Sequence, residues 1–381
     1  MNVLLHELRK IFNWKIVLII ATLSFIMYQL FLSFHITHFP NGRPDLDIYR
    51  VTTKMIEDYG HTLEDEEYLD FKGIYNERVK EADQLLQGRE DFKNTGIKTY
   101  EEFSSIDIET NENIKKLSDK IMFEEKVDLF WELQAREYLI ENIDFSMESE
   151  TLGINPINQA QLEQIKELKE SGTMKSIFPT NIFDNYNQLI VNETTLILLS
   201  IMVMTTPIFL RDKRKKLEYL QYTSKIGRSL FNKKLVASLL ASFIIISVQL
   251  IIFFTIYSQN NTNMFFSSKI NSNMNFYEYW MNITFGQYII LTVLAIYVLG
   301  LMTTLIVAYL SRVTPNYITV IGAQVPLAFL IVGVLYKYMI DLMGHMHIPK
   351  FVTPTSYIAL VSLTMVVIFL RMRKEKRVDI L

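Results

Sequence analysis

Between residues 188 and 257, two apolar runs each long enough to cross a bilayer are separated by one polar, basic stretch, Arg211 to Lys234, RDKRKKLEYLQYTSKIGRSLFNKK. Nine of its residues are Lys or Arg, and only Asp212 and Glu218 oppose them. Short loops rich in Lys and Arg stay on the cytoplasmic side of a membrane, so this loop orients every other segment of the chain. Leu217 and Leu220, like Tyr219 and Tyr222, recur three residues apart, and Gly227 followed by Ser229 breaks the pattern before the next apolar run. The stretch reads as a cytoplasmic hinge that carries a short interfacial helix.

Half of the 381 residues are hydrophobic, and they are unevenly placed. Residues 15 to 34 and 188 to 371 hold nearly all the long apolar runs, whereas 35 to 187 is polar, with 33 acidic and 17 basic side chains. The expected class is an all-α integral membrane protein: six transmembrane helices, with a mainly helical extracellular domain between the first and second. Its segments are 1–34 (an amphipathic helix and the first span), 35–187 (the extracellular domain) and 188–381 (five spans with the cytoplasmic loop 211–234). Cysteine is absent, which excludes disulfides, thiolate metal sites and a cysteine nucleophile.

At the start, Leu4, Leu8, Ile11 and Phe12 share one helical face and His6, Glu7, Arg9 and Lys10 point largely away, as in a helix lying along the inner leaflet. Residues 15 to 34 form an apolar run of spanning length with no small-x-small cleavage site after it, so an uncleaved anchor is expected. In the polar domain, a long helix pair is expected over 54 to 92, broken by Gly88 and closed by Asn94 and Gly96, with further helices over 108 to 145 and 158 to 170. Ile121, Val127, Phe130, Leu133 and Leu139 are core candidates, and Ser171 and Gly172 form a stop. A solvated acidic surface accounts for this domain's charge; recruitment of cationic peptides is the functional alternative.

Further spans are expected at 188 to 210, 235 to 257, 284 to 310, 317 to 338 and 352 to 370. Arg312 and the cluster Arg371, Arg373, Lys374, Lys376 and Arg377 then fall on the cytoplasmic side with both termini. Tyr257, Tyr277, Tyr279, Trp280, Tyr336 and Tyr338 sit at the outer edges, where aromatic side chains anchor among headgroups. The link KYMIDLMGHMHIPKFVTPT is apolar enough to dip back into the outer leaflet, and Pro207, Gly300, Gly322, Pro326 and Gly333 mark kinks or close helix contacts.

A span, a basic bend, and then Glu218, Leu220, Thr223, Gly227 and Arg228 before a Lys pair and a new span resemble the first cytoplasmic loop of permeases in the type 2 family of ABC exporters. Span count and loop lengths extend the resemblance over the whole membrane part, although Tyr219 stands where that family has a glycine. The resemblance implies that Leu217, Glu218, Tyr219, Leu220, Tyr222, Thr223, Gly227 and Arg228 form a coupling helix seated in a separate ABC ATPase subunit. ATP and Mg would be held by that subunit and no cofactor by this chain. It implies a second permease chain, identical or related, and the N-terminal amphipathic helix as an elbow touching the ATPase. It further implies hydrophobic or amphipathic cargo moved through the plasma membrane, such as a bacteriocin, a toxin or an antimicrobial peptide.

The residues agree in what they lack. No G-x-x-x-x-G-K-[ST], H-E-x-x-H or G-x-S-x-G occurs, so no catalytic or nucleotide site and no nucleic-acid partner is expected. Glu193 near an outer end and Asp341 just beyond another are the few ionisable groups at the spans. His35, His38, His345 and His347 share the outer face and are weighed as a metal or pH site against ordinary interfacial residues. The alternative function is a non-transporting receptor or assembly factor whose outer domain binds a peptide or envelope component.

Overall fold

The computed structural model of the chain describes residues 2–93, 95–105, 112–125, 127–217, 227–330, 333 and 337–376. Among them regular structure is helical, apart from two isolated bridges, Thr62 to Ser176 and Lys269 to Thr284. In chain order the helices are α1 (Asn2–Ile11), α2 (Trp14–Thr37), α3 (Asp45–Tyr59), α4 (Asp65–Gly88), α5 (Tyr100–Ser105), α6 (Glu112–Asp119) and α7 (Asp128–Glu148). They continue as α8 (Gln159–Glu170), α9 (Thr180–Thr205), α10 (Pro207–Arg214), α11 (Leu230–Tyr257), α12 (Phe285–Val313), α13 (Tyr317–Leu330) and α14 (Val352–Lys376).

Five helical segments are long and apolar enough to cross a membrane: Trp14–Thr37, Thr180–Arg214, Leu230–Asn260, Phe285–Val313 and Val352–Lys376. The chain is therefore a multi-pass membrane protein. The expected span at 317 to 338 is represented by the shorter α13, and residues 331, 332 and 334–336 lie outside those described.

The chain divides into two compact units. The first comprises Met1–Thr37, Asn185–Asn261 and Gln287–Leu381 and contains the apolar helices. Its centre is the part of the helical segment Thr180–Arg214 that follows Asp184; the apolar window of that segment is 78% buried, against 11% for the first and last spans. Apolar side chains gain little by leaving lipid, so helices in a membrane associate through close approach and shared hydrogen bonds. Both occur here. A Cβ on Gly300 would meet Ile246 Cδ1 at 2.6 Å and Ile201 Cδ1 at 2.9 Å, so α12 touches α11 and α9 at this glycine. Hydroxyls and an amide bridge the helices: Tyr186 to Thr292 at 2.6 Å, Thr304 to Ser242 at 2.6 Å, Ser247 to Tyr297 at 2.7 Å and Gln249 to Ser200 at 2.9 Å. The outward faces carry Leu18, Phe25, Ile251, Ile290, Phe329 and Leu363, all exposed, as lipid contact requires.

Two sequence expectations about this unit change. Tyr257 is buried instead of anchoring at headgroups, because the rings of Tyr186 and Phe253 pack against it. The helix α1 turns its apolar face onto protein: Leu4, Leu8, Ile11 and Phe12 pack with Phe209, Phe231 and Leu235, and Glu7, expected to point away, is buried.

The second unit comprises His38–Asp184 and Thr262–Gly286. Glu64 and Asn158 open α4 and α8 with reciprocal capping boxes, and Gly172 ends α8 in the left-handed conformation that an L side chain resists. Phe130, Leu133 and Ile121 pack with Ala82, Leu86, Phe92 and Phe103, while Leu139 and Ile143 pack with Val51, Met55 and Phe71. Val127 is half-buried at the edge of the first cluster.

The loop at 262–286 belongs to this unit. Asn273 N donates to Met174 O at 2.8 Å, Lys269 N to Ser176 Oγ at 2.8 Å, and Met274 joins the apolar cluster of α3 and α7. Asn271 folds the loop on itself, accepting from Tyr279 N at 2.7 Å and donating to Met281 O at 3.0 Å. Tyr279 is consequently buried against Phe183 and not available to headgroups.

Candidate functional site

The basic stretch 211–234 begins at a break in a span. Proline at position 207 has no N–H to donate and opens a new helical segment, α10, after Thr205. The polar groups freed by the break are met from neighbouring helices. Ser311 Oγ donates to Thr206 O at 2.7 Å and accepts from Phe209 N at 3.3 Å. Lys234 Nζ donates to Ile208 O at 3.1 Å. Gln324 of α13 lies 2.8 Å from Thr206 Oγ1. The backbone keeps right-handed helical torsions at Thr206, and side chains of three helices meet the polar groups around the proline.

Lys234 also forms an ion pair with Asp212, each about 2% exposed, and its ammonium lies 5.0 Å from the Phe209 ring centroid. Lys10 of α1 approaches the other side of Asp212 at 3.6 Å and holds Glu7 at 2.7 Å. Lys213 donates to the carbonyls of Arg312 and Thr314, the latter at 2.8 Å. Arg312 in turn grips Glu375 with two hydrogen bonds, of 2.8 and 3.2 Å, and Arg371 shares that carboxylate. Five helices, α1, α10, α11, α12 and α14, are thus tied at one end of the first unit. Buried ion pairs of this kind add little net stability over apolar replacements but fix geometry, because a mispaired charge is costly.

Of the residues expected to form the coupling helix, the described ones flank it. Leu217 is half-buried and follows Lys216, which takes a left-handed backbone conformation. Gly227 is buried, and Arg228 lies in the short turn Gly227–Ser229 that leads into α11. Glu218, Tyr219, Leu220, Tyr222 and Thr223 lie outside the described residues. Arg214, Lys215 and Lys216 are exposed beside them. Ser311, Gln324 and Glu375 were missed in the sequence; the one signal was Pro207 inside an apolar run, which demands such partners somewhere.

The outer histidines do not form a cluster: among the described residues no group of three or more His, Asp or Glu side chains could hold a metal ion. His345 and His347 stack with ring centroids 4.7 Å apart, and His345 Nδ1 accepts from His347 N at 3.1 Å. Burial, and secondarily the neighbouring His347, push His345 down to about 4, so it is neutral near pH 7. His35 is half-buried, and its carbonyl accepts from Asn185 and Asn260. Comparison with family models, curated proteins and solved structures finds no match for this chain.

Proposed function

We propose that this chain is the membrane-spanning permease subunit of an ATP-driven exporter of the ABC type 2 class, moving hydrophobic or amphipathic peptides across the plasma membrane. The observation that carries this reading is the Asp212–Lys234 pair: it clamps together the two helices on either side of residues 217–227, while α1 packs on the same helices. A force applied to that segment by an ATPase would reach two spans at once. The break at Pro207 supplies a bend where one of them can yield, since its hydrogen bonds are made by side chains that can exchange partners.

In this reading the ion-paired end faces the cytoplasm, in keeping with Lys213, Lys234, Arg312 and Arg371 gathered there. The second unit, including 262–286, stands outside the cell. A sixth crossing through α13 is part of the proposal. It is supported by two contacts: Arg312, before α13, pairs with Glu375 at the far end of α14, whereas Asp341, after α13, accepts from Asn187 near the start of α9 at 3.1 Å. ATP and Mg belong to the partner ATPase, and two permease chains enclose the path.

A tagged chain purified in mild detergent from its host tests this. Recovery of an ABC ATPase in matching amount, lost when Leu217 to Tyr222 are deleted, is the expected result. Well-folded protein that brings down no ATPase would contradict it.

A further inference from the structure

Within the first unit, α2, α9 and α11 enclose a cleft of ≈ 220 Å³. Its wall is aliphatic and aromatic, with Phe25, Leu32, Leu196 and Phe253 among the contributors, and polar atoms enter at few places. Glu193 is one. It lies on the same face of α9 as Leu189 and Leu196, it is 3% exposed, and no hydrogen bond or ion pair reaches its carboxylate from the described residues. Gln249 is another: its Nε2 donates to Ser200 at 2.9 Å and lies 3.4 Å from Ser24 Oγ, leaving Oε1 buried and without a donor. An isolated carboxyl in such surroundings is expensive, and ionisable groups inside spans mark ligand or ion paths.

The third wall points the same way. Tyr28–Leu32 forms a π-turn within α2, with Ser33 N donating five residues back to Tyr28 O. Such wide turns cost hydrogen-bond geometry and concentrate where a helix shapes a site. Here it lies where α2 lines the cleft through Tyr28 and Leu32. Phe25 and Ile252 at the same cleft are exposed on the lipid-facing surface, which gives an approach from the bilayer.

We infer that this cleft binds the ammonium of a lysine side chain presented by an amphipathic peptide, with Glu193 and Gln249 Oε1 as its acceptors. The chemistry selects that occupant. Gln249 Oε1 is an acceptor, and the carboxyl of Glu193 becomes one once a cation offsets the cost of burying its charge; an ammonium supplies that charge and three donors. No Lys, Arg or His lines the cleft, so the phosphate of a zwitterionic lipid headgroup would find no cation beside it. The volume is below the ~300–1,000 Å³ of sites that enclose whole drug-sized ligands and suits a single side chain with its apolar stem. This assignment rests on the proposed export function only for the origin of the peptide.

The test uses the full-length chain alone in phosphatidylcholine nanodiscs, without ATPase or ATP, so its outcome is independent of ATPase recovery. The probe is a fluorescent, acetylated Leu-Leu-Lys-Leu-Leu amide, compared with the same peptide carrying norleucine in place of lysine, each corrected with empty nanodiscs. The wild-type protein is expected to bind the lysine peptide about tenfold more tightly, the size of one charge-assisted hydrogen bond in a desolvated site. Glu193→Gln removes that preference, and Ile252→Trp, at an exposed position beside the cleft, weakens both peptides. Equal affinity for the two peptides in the wild type, or a preference that survives in Glu193→Gln, would overturn the site. Loss of the preference when phosphatidylethanolamine is added to the nanodiscs would assign the cleft to lipid and overturn the peptide.

Discussion

Lys234 reaches across a broken span to Asp212: its ammonium binds the carboxylate and also the carbonyl of Ile208, at 3.1 Å, while each side chain is only 3% exposed. The residues that look most like solvated loop charge in the sequence are therefore a buried joint between two helices.

Breaking this joint from one side should be severe. Lys234→Met or Asp212→Asn leaves an uncompensated or half-bonded charge inside protein, with an expected cost of about 3–5 kcal/mol for the first. The double variant should recover a large part of that loss. Thermal unfolding of the purified proteins in detergent, read as a double-mutant cycle, checks this; additive losses would show that the pair is not coupled.

Ser311→Ala tests the break at Pro207. It removes the hydroxyl that serves both Thr206 O and Phe209 N, and about 1–3 kcal/mol of stability should go with it. Ser247→Ala, whose hydroxyl sits on a more exposed face of α11, should cost less. Equal losses would mean that the break has no special need of Ser311.

Glu278 gives a pH dependence. Burial pushes its carboxyl up to about 7 from an ordinary value of 4.5, so the folded protein holds this proton over a range where the unfolded chain has released it. Its contribution to stability is greatest below pH 4.5, is lost as pH rises through 7, and stays lost above. Glu278→Gln should therefore be more stable than wild type at pH 8 and show a flatter profile between pH 4 and 8. Urea unfolding across that range checks it, and parallel profiles for the two proteins would contradict it.

How much of this was legible beforehand depended on whether a residue acts through local periodicity or through distant partners. Leu133 and Leu139 declare themselves by helical spacing, and Gly172 by following a polar stop, so the helical character of the second unit could be read from sequence, but not the start of α3 at Asp45 or the turn at 60–64 that separates it from α4. Length and hydropathy revealed five of the spans. The loop at 262–286 could not be assigned, because Asn271, Ser272 and Asn275 fold it through side-chain hydrogen bonds that leave no period. Lys234 was hidden for a related reason: a lysine in a basic run looks solvated until its carboxylate, 22 residues earlier in sequence, is brought against it. Glu193 was visible as a lone acid in a span, but the cleft around it needs three helices to exist.

The proposed orientation is testable because the chain has no cysteine, so any introduced thiol is unique. On intact cells a membrane-impermeant maleimide should label Asn41→Cys, an exposed position of the second unit. Leu217→Cys should react only after permeabilisation. The opposite pattern would invert the topology.

The same single thiol gives the most direct test of coupling. With the ATPase subunit present, a short bifunctional cross-linker should join Leu217→Cys to the ATPase, and Asn41→Cys should not be joined. Cross-linking that changes with ATP would show that the contact moves during the cycle. A protein that folds and inserts, yet whose thiol at position 217 never meets an ATPase, would contradict the account of this chain as an ATP-driven permease.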